Sequence, residues 1–167
     1  MPALFALAAS VGVLAVIATW LFAVPLTGTN AQVWIAFVAW GAHFHCGGNT
    51  RGTRDAIVCM SFGAVIGMLA IYLAGYLGAI GQFAAPVAVG LGATIIVLSS
   101  SLAFLAAIPA SVYGFASIAG LWLLGGTGLL GADTAVGNAL VPTVLSIVIG
   151  ALFGIVSEKL AAALTRQ

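Results

Sequence analysis

Residues 3–24 read ALFALAASVGVLAVIATWLFAV, without one charged side chain, and stop at Pro25 ahead of the polar Thr27-Gly28-Thr29-Asn30. The hydrocarbon core of a bilayer is about 30 Å thick and an α-helix rises about 1.5 Å per residue. A run of this length and composition is therefore read as a membrane-spanning helix. No Lys or Arg precedes it and it exceeds a signal-peptide core, so it is expected to be retained.

The rest of the chain repeats the alternation of apolar run and polar break. Of 167 residues only 4 are Lys or Arg and 3 are Asp or Glu, and 63% are hydrophobic. A soluble domain carries roughly a quarter of its residues as charges. Folded in water, this chain would expose apolar patches far above the few hundred Å² that a monomer tolerates. The remaining apolar runs predict spans over about 31–46, 56–77, 82–98, 102–124 and 139–156. The expectation is an all-α integral membrane bundle, one domain over 1–167, with six transmembrane helices. Gly47 to Asp55, the most hydrophilic stretch, reads as a loop, Gly78 to Gln82 as a turn, and Ser99-Ser100-Ser101 as the break between spans four and five. A glycine-rich link, Gly125 to Gly137 with Asp133 inside it, leads to the last span.

Cations favour the cytoplasmic side of a membrane. All four lie in two places, Arg51 with Arg54 and Lys159 with Arg166. Placing both clusters inside requires an even number of spans between them, and four intervene. Both termini are then expected to be cytoplasmic. Trp20, Trp34, Tyr72, Tyr76 and Trp122 fall near the outer helix ends, as an interfacial belt would.

Two short patterns recur three helices apart. Ala36-Phe37-Val38-Ala39 with Gly47 resembles Ala103-Phe104-Leu105-Ala106 with Gly114, and Gly63-x-x-x-Gly67 resembles Gly150-x-x-x-Gly154. An odd separation would orient the halves oppositely, a 3+3 inverted repeat of the kind many transporters use. Coincidence of common membrane residues explains the same identities. The paired glycines are packing devices, since glycines four apart on one face let another backbone approach closely. They could serve within one chain or between subunits.

Polar residues at depth carry the functional signal in such a chain. His43 and His45 close the second span beside Cys46. Residues two apart point about 200° from each other on a helix, so the pair could chelate one ion only if the segment unwinds. No metal is expected. The imidazoles either sit at the interface, bonded to backbone or water, or one of them lines a solute path. Cys46 and Cys59 form no CxxC pair and read as inert thiols.

Pro109 lies near the middle of the fifth predicted span, where it removes a backbone donor and disturbs the carbonyl near Leu105. Ser111, Tyr113, Gly114 and Ser117 follow it. A broken helix beside hydroxyl groups would suit a neutral-solute site, because freed backbone groups in lipid need protein or water partners. A simple kink filled by a neighbour fits equally. Pro142 and Ser146, with Asn138 before them, could play a similar part in the sixth span. Trp40 and Phe44 either wall a pore or pack.

No nucleophile stands with a His and an acid, no span holds two carboxylates, and no Walker A motif occurs. The chain is not expected to be an enzyme or to use a cofactor. A net charge of +1 offers no basic field for nucleic acid.

Trp34-x-x-Phe37, then Ala42-x-Phe44-x-Cys46 followed by glycines and a basic loop, resembles a family of small bacterial inner-membrane proteins catalogued as domain of unknown function 1097. Phe104, Pro109, Gly114, Pro142, Gly150 and Gly154 follow in an order similar to the rest of that pattern. The resemblance covers nearly the whole chain and implies a multi-pass protein of the bacterial inner membrane, without implying an activity. In size the chain is similar to six-span urea and amide channels, which work as oligomeric rings, so a homo-oligomer is expected.

The leading expectation is a channel or transporter for a small polar or weakly charged solute, urea- or amide-like or a short carboxylate, with a path lined by helices two, five and six. Its residues would be His43, His45, Pro109, Ser111, Tyr113, Ser117 and Ser146. Gly63, Gly67, Gly150 and Gly154 would pack the helices. A non-transporting scaffold or partner subunit is the alternative, and metal or thiol sensing through His43, His45 and Cys46 a third.

Overall fold

A computed structural model describes residues 1–124 and 139–165. These form the helices α1 (Ala3–Ala23), α2 (Val33–His45), α3 (Asn49–Tyr76), α4 (Ala84–Ser99), α5 (Ile108–Leu123) and α6 (Leu140–Thr165). Short 3₁₀ turns lie at Thr27–Thr29, Gly78–Phe83 and Ala103–Leu105. The glycine-rich link from 125 to 137 with Asp133, and Asn138 and Arg166, lie outside the described residues.

Among the described residues four stretches, Ala3–Ala23, Asn49–Tyr76, Gly78–Ser99 and Leu140–Thr165, are long and apolar enough to cross a membrane. α2 and α5 have 13 and 16 residues. At the helical rise they reach only about 20 and 24 Å, short of the hydrocarbon thickness. The chain is an all-α bundle of membrane-protein character.

Two helix starts differ from the sequence reading. The hydrophilic stretch over 47–55 is a two-residue turn, Gly47-Gly48, followed by the opening of α3 at Asn49. Gly47 (φ 94°) and Gly48 (φ 67°) reverse the chain at positive φ, which glycine adopts without penalty, and Asn49 (φ 53°) follows in the left-handed region that asparagine tolerates. Arg51 and Arg54 therefore sit on the first turns of α3, both paired with Asp55, at 3.6 and 2.8 Å.

The second correction concerns Pro109, which stands in the first two positions of α5 and not in the middle of a longer helix. A helix's first N–H groups have no partner within it, so proline starts α5 at no cost in hydrogen bonds. The Ala103–Leu105 turn precedes it, so the run matched to Ala36–Ala39 in the sequence is not part of α5.

The most extensive helix contacts join α3 to α5 and α2 to α6, followed by α3 to α4 and α1 to α6. Glycine makes the first two possible. A Cβ on Gly63 would overlap the Ser111 carbonyl, one on Gly114 the Met60 carbonyl and one on Gly150 the Ala36 carbonyl. One on Gly67 would stand 2.6 Å from the Ile118 side chain, and one on Gly154 2.6 Å from the His43 ring. Both paired-glycine motifs thus join helices of the same chain, where close approach gains the dispersion contacts that hold helices together in lipid.

α1 buries Ala6, Ser10, Leu14, Ala18 and Phe22, and α4 buries Ala84, Ala88, Gly92 and Ile96. Each is one stripe at four-residue spacing, a single helix face. Their other faces expose large apolar side chains such as Leu4, Phe5, Val16, Leu91 and Leu98, as suits a lipid surrounding.

The start of α1 (Ala3, Leu7), the α2–α3 turn (Gly47, Gly48) and the end of α6 (Glu158, Ala161, Ala162, Thr165) line one open groove of about 450 Å³. Arg51, Arg54 and Lys159 consequently share one end of the bundle. At the opposite end of α3, Tyr72, Tyr76 and Trp122 line another groove.

Candidate functional site

His43 is fully buried, yet both ring nitrogens have polar neighbours. Nδ1 lies 3.0 Å from the Thr53 hydroxyl and Nε2 lies 3.2 Å from Glu158 Oε2. The same carboxylate oxygen accepts the backbone N–H of Asn49 at 2.6 Å. Thr53 is within 2.9 Å of the Asn49 carbonyl. The cluster takes one side chain from the last turn of α2, one from the second turn of α3 and one from the C-terminal part of α6.

Each member is placed by a local feature of the sequence. The tight turn at 46–48 folds α3 back along α2, and Gly52 lets the two run close, since a Cβ there would sit 2.9 Å from the His43 carbonyl oxygen. Gly154 provides the recess for the imidazole. Glu158 falls one helical turn beyond Gly154, which brings its carboxylate over the first N–H of α3, where a helix N-terminus favours negative charge. The Glu158 side chain is 41% exposed, so the buried ring communicates with solvent through the carboxylate.

His45 is exposed, and its Nδ1 lies 3.0 Å from the Tyr113 hydroxyl of α5. Two of the residues assigned to a path are thus brought together. The three serines lie in closed helix contacts. Ser111, Ser117 and Ser146 are at most 2% exposed. Ser117 donates to the Tyr113 carbonyl at 2.7 Å, and Ser146 donates to the Pro142 carbonyl while accepting Gln32 N–H at 2.8 Å. Ser111 faces the Cys59 thiol of α3. Trp40 packs, with its ring 5.5 Å from Phe153 and its N–H on Ser157 at 3.0 Å. Phe44 borders the groove beside Glu158.

Sequence reasoning noted His43, with Glu158 near it by topology, but missed Thr53 and Asn49 as its neighbours. The available signal was Glu158 itself, a lone acid near the end of an apolar run. Burial, with Cys59 and Asp55 adding, pushes the Cys46 thiol in the α2–α3 turn above its ordinary range, which makes it a poorer nucleophile. Among the described residues no group of three or more His, Cys, Asp or Glu converges as a metal site would require.

The fold and this cluster define a membrane-type helical bundle with one buried polar knot at its charged end. The chain belongs to the family described as "Protein of unknown function (DUF1097)", whose sequence profile matches residues 8–162. No curated protein and no solved structure matches the chain.

Proposed function

We propose that the protein is a channel or transporter for a small polar or weakly charged solute in the bacterial cytoplasmic membrane. It crosses six times with both termini inside, and its halves α1–α3 and α4–α6 form a 3+3 inverted repeat.

One observation carries this reading, the shared register of the two glycine contacts. Ala36 and His43 of α2 meet Gly150 and Gly154 of α6, and Ser111 and Ile118 of α5 meet Gly63 and Gly67 of α3. The spacing is seven residues on each short helix and four on each long one. The match extends outward. Trp40 and Phe153 pack with Leu14 and Ala18 of α1, and Phe115 and Ile66, at the equivalent positions, meet Gly92 of α4. Gln32 N–H reaches Ser146 just as the Ala107 backbone reaches Cys59.

Each half then holds a short helix that follows a 3₁₀ turn, and interrupted helices at a repeat interface are where transporters bind solute. The path would run between α2, α5 and α6, past His43, His45, Pro109, Ser111, Tyr113, Ser117 and Ser146. Among the described residues fixed charge lies at the bundle end that carries Arg51, Arg54 and Lys159, which suits urea-like amides or short carboxylates better than strongly hydrated ions. Lining hydroxyls now closed in helix contacts would be exposed by motion of one half against the other.

Stopped-flow swelling of proteoliposomes with urea, acetamide, glycerol and short carboxylates tests the proposal. Permeation of at least one solute well above that of empty vesicles is expected. The burial of Ser111, Ser117 and Ser146 favours a second reading, a non-transporting partner subunit, which requires every solute to cross no faster than the bare bilayer allows.

A further inference from the structure

We propose that His43, Thr53 and Glu158 form a proton-binding site that ties α6 to the α2–α3 turn, with the proton taken up on His43 Nδ1. Only its consequence for transport rests on the conduit reading above.

The hydrogen bonds admit two states of the same heavy atoms. A threonine hydroxyl has one proton to donate. It can go to the Asn49 carbonyl at 2.9 Å or to His43 Nδ1 at 3.0 Å, and not to both. Nε2 faces Glu158 Oε2, which already accepts the Asn49 N–H. Nε2 must therefore carry a hydrogen to make a favourable contact with the carboxylate.

In the first state His43 is neutral with its hydrogen on Nε2, and the Thr53 hydroxyl turns toward Nδ1. In the second a proton from water binds Nδ1, the hydroxyl rotates to the Asn49 carbonyl, and its oxygen accepts the new N–H. No heavy atom need move. The contact with Glu158, already charge-assisted by the carboxylate, becomes an ion pair and gains the attraction of the ring's own charge. Proton uptake thus tightens the junction between the helices of the first half and α6 of the second, and release loosens it.

Other charges around His43 are engaged elsewhere. Arg51 and Arg54 of α3 pair with Asp55, Lys159 of α6 is exposed, and Tyr113 of α5 is bound to His45. Cys46 follows in the turn, and α1 brings no ionisable side chain. In the pseudo-equivalent places of the other half stand Ile118, Leu140 and Ile71, which bind no proton, so the device belongs to the charged end alone.

Full-length protein with ¹⁵N-labelled histidine in lipid vesicles tests this by solid-state NMR from about pH 5 to 9, which brackets the interval in which histidine ordinarily changes charge. His45→Gln assigns the signals. At the alkaline end His43 should carry hydrogen on Nε2 only, and at the acidic end on both nitrogens. Glu158→Gln should lower the doubly protonated fraction several-fold at a given pH. Neutral His43 with its hydrogen on Nδ1, a ring unchanged over the whole range, or a Glu158→Gln variant identical to wild type would each overturn the proposal. Vesicles in which His43 titrates as described but no solute permeates would leave the proton site standing and remove the conduit.

Discussion

Glu158 Oε2 in α6 accepts the N–H of Asn49, the first residue of α3, at 2.6 Å, and so joins the two longest helices of the chain at the end that carries the charges. It also satisfies the Asn49 N–H of the left-handed backbone at 47–49, whose other two N–H groups donate to the Phe44 and His43 carbonyls of α2.

Replacing Glu158 with Ala removes the acceptor for Asn49 and leaves His43 Nε2 with no partner. A buried polar group left unsatisfied costs about 1–3 kcal/mol. We expect a lowered unfolding temperature in detergent, followed by fluorescence-detected size exclusion after heating, and only part of that loss in Glu158→Gln.

Gly63, Gly114 and Gly150 admit a neighbouring carbonyl where any side chain would stand. Gly63→Leu or Gly150→Leu should separate α3 from α5 or α2 from α6, at a cost of at least about 1–3 kcal/mol from overpacking. Gly90, which has open space around its would-be Cβ, is the control. Gly90→Leu should retain the wild-type heat-stability curve within error.

Pro109→Ala should be tolerated, with a change below about 1 kcal/mol, because proline at the start of α5 displaces no hydrogen bond. A mid-helix kink with a structural role would instead register as a large loss in the same thermal assay.

Cys46 alkylation by a neutral maleimide should be slow at pH 8 in the folded protein and faster in urea. Burial raises this thiol above its ordinary value of 9.0. A group whose folded value is raised contributes stability below the unfolded value, and loses it as pH climbs through the folded one. The protein should accordingly weaken above about pH 9, and Cys46→Ser should remove that part of the loss.

Reporter fusions after Gly48 and after Thr165 should report the same membrane face, because Gly48, Glu158 and Thr165 border one groove. Opposite faces would break the proposed topology.

The sequence by itself determined the class of molecule. Seven formal charges and long apolar runs leave lipid as the only solvent in which these helices can be satisfied, and residue counts alone placed the long helices α1 and α3 to within a few residues at most ends. Composition could not tell where a polar stretch is loop and where it is helix. Arg51 to Asp55 are hydrophilic, yet the positive φ angles at 47–49 start α3 before them. Pro109 has the same chemistry in the middle of a helix as at its start, and only the path of the backbone decided which. The tertiary structure alone decided the partners. Which glycine meets which carbonyl, and that Glu158 reaches across more than a hundred residues of chain to His43 and Asn49, depend on helix packing at ångström range. Hydropathy is a property of single residues averaged along the chain, and it carries no information about which helix faces meet.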